Sequence, residues 1–296
     1  MWEAIGRRGL IQIIILAMLV IGVYWHSLAT VVFRWRTDGN WSHGWLVPFF
    51  SLYLLHTNRA ALAAVTRRTN YFGLLIVVLT LAGFFATYVY GFNYPRTVSM
   101  VGLIFGVTLF LAGWGVTRVA WVPIFFLLFA LPLPDSIYVQ LTMPLRKLAS
   151  VVSANGLALI PGVHTDVSGV VIDFSYRGRP GSLNVEEACS GMRLMMAFVT
   201  LGVAMAYMGR RPTWQRILMI LVCVPIAVFC NMIRVTVTGV LYVFELKKLT
   251  SGTPHALLGL AMLPIALGLF ALTGWILANL VVEDKAEPSL EDAERS

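Results

Sequence analysis

The chain has 296 residues, of which 58% are hydrophobic and only 12% charged, and its mean hydropathy is +0.80. Soluble domains carry about 25% charged residues, so this composition excludes an ordinary soluble protein and points to one embedded in a bilayer. In that setting the net charge of +8 reads as topology signals on cytoplasmic loops, not as a nucleic-acid surface.

The first apolar stretch, Leu10 to about Phe33, follows Arg7 and Arg8 without a small-x-small cleavage site and reads as a retained span. A tryptophan-rich polar loop, Arg34 to Gly44, suits a membrane interface. Trp45 to His56 is apolar but short for a span. Tyr71–Tyr90 and Val98–Ala112 read as spans separated by a loop that carries Arg96. A tight turn at Gly113-Trp114-Gly115 leads into Val119–Leu131, which Pro132 and Pro134 bring to a stop.

Ser136 to Ile160 is amphipathic and reads as an interfacial or re-entrant helix, not as a lipid-facing span. Residues 161–187 form the least hydrophobic interior segment. There, Val167–Phe174 and Ser182–Val185 read as short strands around an Arg177–Gly181 turn. Ala188–Met208, Ile217 to about Phe244 (kinked at Pro225) and His255–Val282 are the remaining spans, and 283–296 reads as an acidic, disordered tail. The expected fold is an all-α polytopic membrane protein. It has about eight membrane helices, an interfacial or re-entrant helix and a small extracytoplasmic β-rich segment, in one transmembrane domain over 1–282. Counting Lys and Arg on the short loops favours a cytoplasmic N-terminus.

Under that orientation three polar residues reach the outer side. Cys189 begins its span there, where helix N-terminal partial charge lowers a thiol pKa, and Arg193 follows one turn later. The alternative is an inert buried cysteine. Arg234 lies at span depth, roughly 16 Å below the outer end of an unbroken helix, with Asn231 and Thr238 on its face. A guanidinium at that depth costs at least about 2.5 kcal/mol on insertion scales, which makes it a functional suspect; a structural ion pair is the competing reading. His255 opens the last span, where a helix N-terminus favours the neutral imidazole a general base requires, although a capping role would serve as well. Together, thiol, imidazole and guanidinium can act as nucleophile, base and oxyanion partner of an acyl transfer. His43 competes for the histidine role, although its aromatic neighbours suggest an interface anchor or a substrate contact instead; His164 reads as solvated, and Cys230 is a rival thiol in more apolar surroundings.

Four blocks carry a family resemblance: Glu187-Ala188-Cys189-Ser190-Gly191-Met192-Arg193, Asn231-Met232-Ile233-Arg234-Val235, His255 with Gly259, and Trp41-Ser42-His43-Gly44-Trp45-Leu46-Val47-Pro48. In this order and spacing the chain resembles the exosortases and archaeosortases, multi-pass membrane transpeptidases. The resemblance implies catalytic Cys189, Arg234 and His255, with Glu187, Ser190, Arg193, Asn231 and His43 supporting the site or binding substrate. It also implies no metal or other cofactor. The expected partners are exported proteins with a C-terminal sorting signal (a short Pro-containing motif, a membrane helix and a basic cluster), an acceptor lipid or polysaccharide intermediate, and membrane lipids. The expected location is the bacterial inner membrane, with the site facing the periplasm. Two rivals stand beside it: a polyprenyl-linked acyl or glycosyl transferase, and a transporter that binds an anion at Arg234.

Overall fold

The computed structural model describes residues 2–185, 192–209, 211–246 and 252–280, and the side chains of 11–185, 196–209, 211–246 and 257–279. The chain divides into two compact units, Met1–Met143 and Pro144–Ser296.

The first unit is helical. α1 (Trp2–Val23) and α2 (Trp25–Thr37) are not one straight span, as the apolar run implies, but a pair bent by 78°. The bend is held by Tyr24, which is fully buried and whose hydroxyl lies 2.8 Å from Ser99 Oγ. A 3-10 segment, Gly39–Trp45, leads into α3 (Leu46–Thr57) and the short α4 (Arg59–Ala64).

α5 (Tyr71–Tyr90) and α6 (Asn93–Phe126) follow. Gly91 ends α5 in the left-handed region (φ 74°), donating its N–H to the Thr87 carbonyl, the usual glycine helix stop. The two helices run antiparallel at glycine-thin contacts, because small residues let backbones approach where lipid supplies no hydrophobic drive. A Cβ on Gly73 would lie 2.2 Å from Phe110 N.

Within α6, Gly113 adopts φ 79°, ψ 179°. Phe105 and Phe125 would be about 30 Å apart along an unbroken helix, yet their ring centroids are 5.4 Å apart. α6 therefore doubles back at Gly113, where the sequence places its tight turn. A 3-10 turn, Leu127–Ala130, closes the second limb.

α7 (Asp135–Ala158) crosses the boundary between the units. In the second unit its residues Ala149, Ala154 and Leu157 pack in one core with Val163, Ile172, Phe174, Leu183, Val235 and Val243. The helix turns serines inward: Ser150 Oγ donates to Gly169 O at 2.9 Å, and Ser153 Oγ contacts Met232 O at 3.4 Å. Leu148, Val151, Val152 and Leu159 face outward.

The sheet is an antiparallel meander, β1 (Val163–Ser168), β2 (Val171–Tyr176) and β3 (Arg179–Asn184). The β2–β3 turn is only Arg177 (φ 50°) and Gly178 (φ 77°), the two positive φ values a type I′ hairpin demands. Arg179, Pro180 and Gly181, assigned to the turn from sequence, belong to β3. Proline is tolerated there because β3 is an edge strand.

α8 (Met192–Met208), α9 (Thr213–Val243) and α10 (Gly252–Leu280) complete the unit. Phe198 of α8, Cys230 of α9 and Met262 of α10 share one cluster; Ala206, Cys223 and Phe270 share the next. As α8 and α10 ascend in number, α9 descends, so α8 and α10 are parallel and both run antiparallel to α9.

The protein is thus an all-α membrane protein with a small sheet, but the count of eight spans is not supported. Among the described residues four helices are long and apolar enough to cross a bilayer, counting the doubled-back α6 once, or five if the bent α1–α2 pair is one span. The 12-residue α3 reaches about 18 Å, against a hydrocarbon core of about 30 Å. α8 shows only a shorter apolar helix, Met196–Met208.

Candidate active site

Arg234 is the candidate site residue whose surroundings the structure describes most fully. It lies well inside α9 and is 2% exposed, deep in an apolar run where only a strong local reason keeps a guanidinium. The room for it is made by α10. A Cβ built on Gly259 would sit 3.5 Å from Arg234 Cζ and 3.6 Å from both terminal nitrogens. A methyl group would make ordinary contact there; anything longer would press on the guanidinium.

Thr238, one turn on, is 1% exposed and donates its hydroxyl to the Arg234 carbonyl at 2.9 Å. The expected polar stripe is therefore partly tied to its own helix backbone. Asn231, one turn before Arg234, is half-buried.

His255 lies in the first turn of α10, four residues before Gly259, and so on the same helix face about 6 Å along the axis. Arg193 lies in the first turn of α8. The backbones of both residues are described, their side chains are not. Cys189, Ser190 and Glu187 lie outside the described residues. Cys189 stands three residues before Met192, where α8 begins.

The helix directions link these positions. Since α8 and α10 are parallel and antiparallel to α9, both begin at the end of the trio toward which Arg234 lies. Below Arg234 the packing turns apolar: Cys230 is 1% exposed among Phe198, Ala227, Met262 and Ala266. Both described cysteines, Cys223 and Cys230, are free and buried, so the rival thiol is sealed from water.

His43 belongs to the first unit. Its Nε2 lies 3.2 Å from the Phe129 carbonyl, and burial lowers its pKa from 6.5, opposed by the backbone carbonyls of Phe129 and Asn40. Its ring lies 6.0 Å from that of Trp41, itself 4% exposed. His43 is held as a neutral side chain in an aromatic wall. His164 is exposed on β1.

The contribution of Gly259 as the space opposite the guanidinium is absent from the sequence reading. The signal was present in the spacing, because a glycine one turn after His255 shares its face.

A helical membrane protein built around a buried intramembrane arginine is the class these observations define. Residues 35–272 match the transmembrane exosortase family, and the chain belongs to that family of membrane transpeptidase-type proteins. No curated protein and no solved structure matches the chain.

Proposed function

We propose that the protein is a membrane cysteine transpeptidase that cleaves a C-terminal sorting signal from exported proteins and passes them to a surface acceptor. The observation that carries this reading is the pairing of Arg234 with Gly259, at the end of the trio where α8 and α10 both begin. In sequence Cys189 precedes the first helix by three residues, and His255 occupies the first turn of the second, which supports a nucleophile and a base near that end.

In this reading the Cys189 thiol gives its proton to His255 and its sulfur attacks the scissile carbonyl. Negative charge develops on the carbonyl oxygen, and Arg234 offsets it in a site poor in water. Collapse forms a thioester and breaks the peptide C–N bond, while His255 returns the proton to the departing amine. An acceptor nucleophile then loses its proton to His255, attacks the thioester and restores the thiol. Glu187 and Arg193 position the start of α8, and Ser190 and Asn231 line the substrate path. Nothing in the sequence asks for a cofactor. The site faces the periplasmic side of the inner membrane.

The test is a co-expressed exported protein that ends in a Pro-containing motif, a membrane helix and a basic cluster. Cys189→Ala and Cys189→Ser are expected to stop its processing while the enzyme still inserts; normal processing by either variant removes the thiol mechanism. A membrane-impermeant maleimide applied to intact cells gives the sidedness. Since Cys223 and Cys230 are buried, label present in the wild type and absent from Cys189→Ala reports Cys189 alone. Label only after permeabilisation would reverse the orientation.

A further inference from the structure

The first unit holds a second buried arginine that the transpeptidase reading does not use. Arg96 is 9% exposed and lies in the first turn of α6, not in a loop as the sequence suggests. One terminal nitrogen, Nη2, donates to Asn93 Oδ1 at 2.8 Å, and its Cζ stands 5.9 Å from the centre of the Tyr88 ring. Its Nε is buried and has no hydrogen-bond partner. An unsatisfied buried donor costs about 1–3 kcal/mol, more on a charged group, so the protein's own groups leave this guanidinium incompletely matched.

A cavity of about 500 Å³ opens beside it, within the size range of ligand sites, about 300–1,000 Å³. Its wall combines Arg96, Arg34, the hydroxyl residues Ser27 and Thr30, and the chain from Gly91 to Thr97. That last stretch is the N-terminus of α6, which has no side-chain cap and therefore presents backbone N–H groups and partial positive charge. Arg34 is held by Asp135 through two contacts of 3.0 and 3.1 Å, so its charge is largely matched and Arg96 supplies the excess. The wall also includes Val31, Leu133 and Ile137, and Tyr88, Tyr90 and Phe92 stand exposed at this end of α5 and α6, where aromatic side chains mark a bilayer interface.

We infer that this cavity binds a phosphate group, held by the Arg96 guanidinium and the N-terminus of α6. The phosphate comes either from an anionic lipid headgroup, whose chain lies along the apolar wall, or from a free phosphate. The site is independent of the thiol chemistry in the second unit.

The experiment uses the full chain, purified in detergent and in nanodiscs. Binding of phosphatidylglycerol is measured by native mass spectrometry and by the shift in Tm, with phosphatidylcholine as the neutral comparison and inorganic phosphate as the soluble probe. Wild type is expected to retain phosphatidylglycerol and gain several degrees, and Arg96→Gln to bind at least tenfold more weakly. Thr30→Trp, a change at an exposed wall position, fills the cavity without removing charge and gives the same loss if Arg96→Gln does not fold. Retention of lipid alone assigns the headgroup, and an equal gain with inorganic phosphate assigns the free anion. Binding that both variants leave unchanged, or no preference for either phosphate source over phosphatidylcholine, overturns the inference.

Discussion

Arg96 and Arg234 are both at least nine-tenths buried, yet their surroundings are opposite. Arg96 stands at a helix start, beside a cavity, where backbone donors and a second arginine gather. Arg234 stands in mid-helix, against a neighbouring glycine and above an apolar cluster. Burial alone does not assign a role to a membrane arginine; the space next to it does. A cavity at a helix end suits a resident anion. Beside Arg234 there is room for little more than a methyl group, which under the proposed mechanism leaves its charge for the reaction itself.

The sharpest way to break that contrast is to remove the guanidinium. Arg234→Ala and Arg234→Lys are both expected to lower processing of a co-expressed substrate by about 100-fold or more, the usual loss when an oxyanion partner is removed. Lysine fails too, because a point ammonium does not reproduce a planar fork. Processing by Arg234→Ala at the wild-type rate would remove the oxyanion role, and processing by Arg234→Lys alone at that rate would mean that a point charge suffices.

A smaller effect tests the gap itself. With 3.5 Å between a Cβ at 259 and Arg234 Cζ, Gly259→Ala should stay within about twofold of wild type, whereas Gly259→Leu should lose roughly tenfold or more through misplacement of the guanidinium. Equal rates for the two variants would mean that Gly259 does not set the position of Arg234.

On stability, Gly113→Ala should destabilise the first unit. The φ 79°, ψ 179° conformation is open essentially to glycine, and the new Cβ would sit 2.0 Å from the Arg68 carbonyl oxygen. A loss of about 1–3 kcal/mol, read as a lower Tm, is expected, while the Arg234 site in the other unit keeps its chemistry. An unchanged Tm would show that the hairpin tolerates a side chain at its bend.

The smallest effect is one of pH. Because burial lowers the His43 pKa, the folded protein binds fewer protons there than the unfolded chain does. Its contribution is full above pH 6.5 and is lost as the pH falls from 6.5 toward the lowered value. A His43→Gln variant should flatten that part of the Tm–pH curve, and a slope equal to wild type would refute the assignment.

Much of this was legible in the sequence. Hydropathy gives the membrane class, and Gly113-Trp114-Gly115 gives the reversal inside α6; the polar interval at 161–187 marks the sheet, but the run Val167–Phe174 read as one strand turns at Gly169-Val170 and is shared between β1 and β2. The four sequence blocks give the family. What escaped was direction and depth. An apolar run from Leu10 to Phe33 carries no mark of the bend that Tyr24 and Ser99 impose, because the contact joins residues far apart in sequence. Arg96 read as a loop charge since its burial depends on α6 beginning before it. The amphipathic pattern of α7 was visible, but not that Ser150 and Ser153 are the inner face; in a membrane protein the polar side of a helix can be the packed one. The sequence reading puts forward Cys189, Arg234 and His255 as a site; of these the structure describes the surroundings of Arg234 alone, and those needed α10 in place.

Pro180 has a consequence for how copies of this chain coexist in a crowded membrane. Tyr176 and Arg179 flank the two-residue turn and pair in register, so they exchange both ladder bonds, and the next pair, Ser175 and Pro180, turns its backbone groups away from each other. The nitrogen of Pro180 therefore points off the free edge of β3, at a place where an incoming strand would look for a hydrogen. None is there. Beside it Arg179 holds an exposed charge, paired with Glu245 at 2.9 Å. Among the described residues no further strand pairs with either edge of the sheet, which is an invitation to pair with a neighbouring copy, and on this side a single imino acid makes the sheet a poor template for self-association.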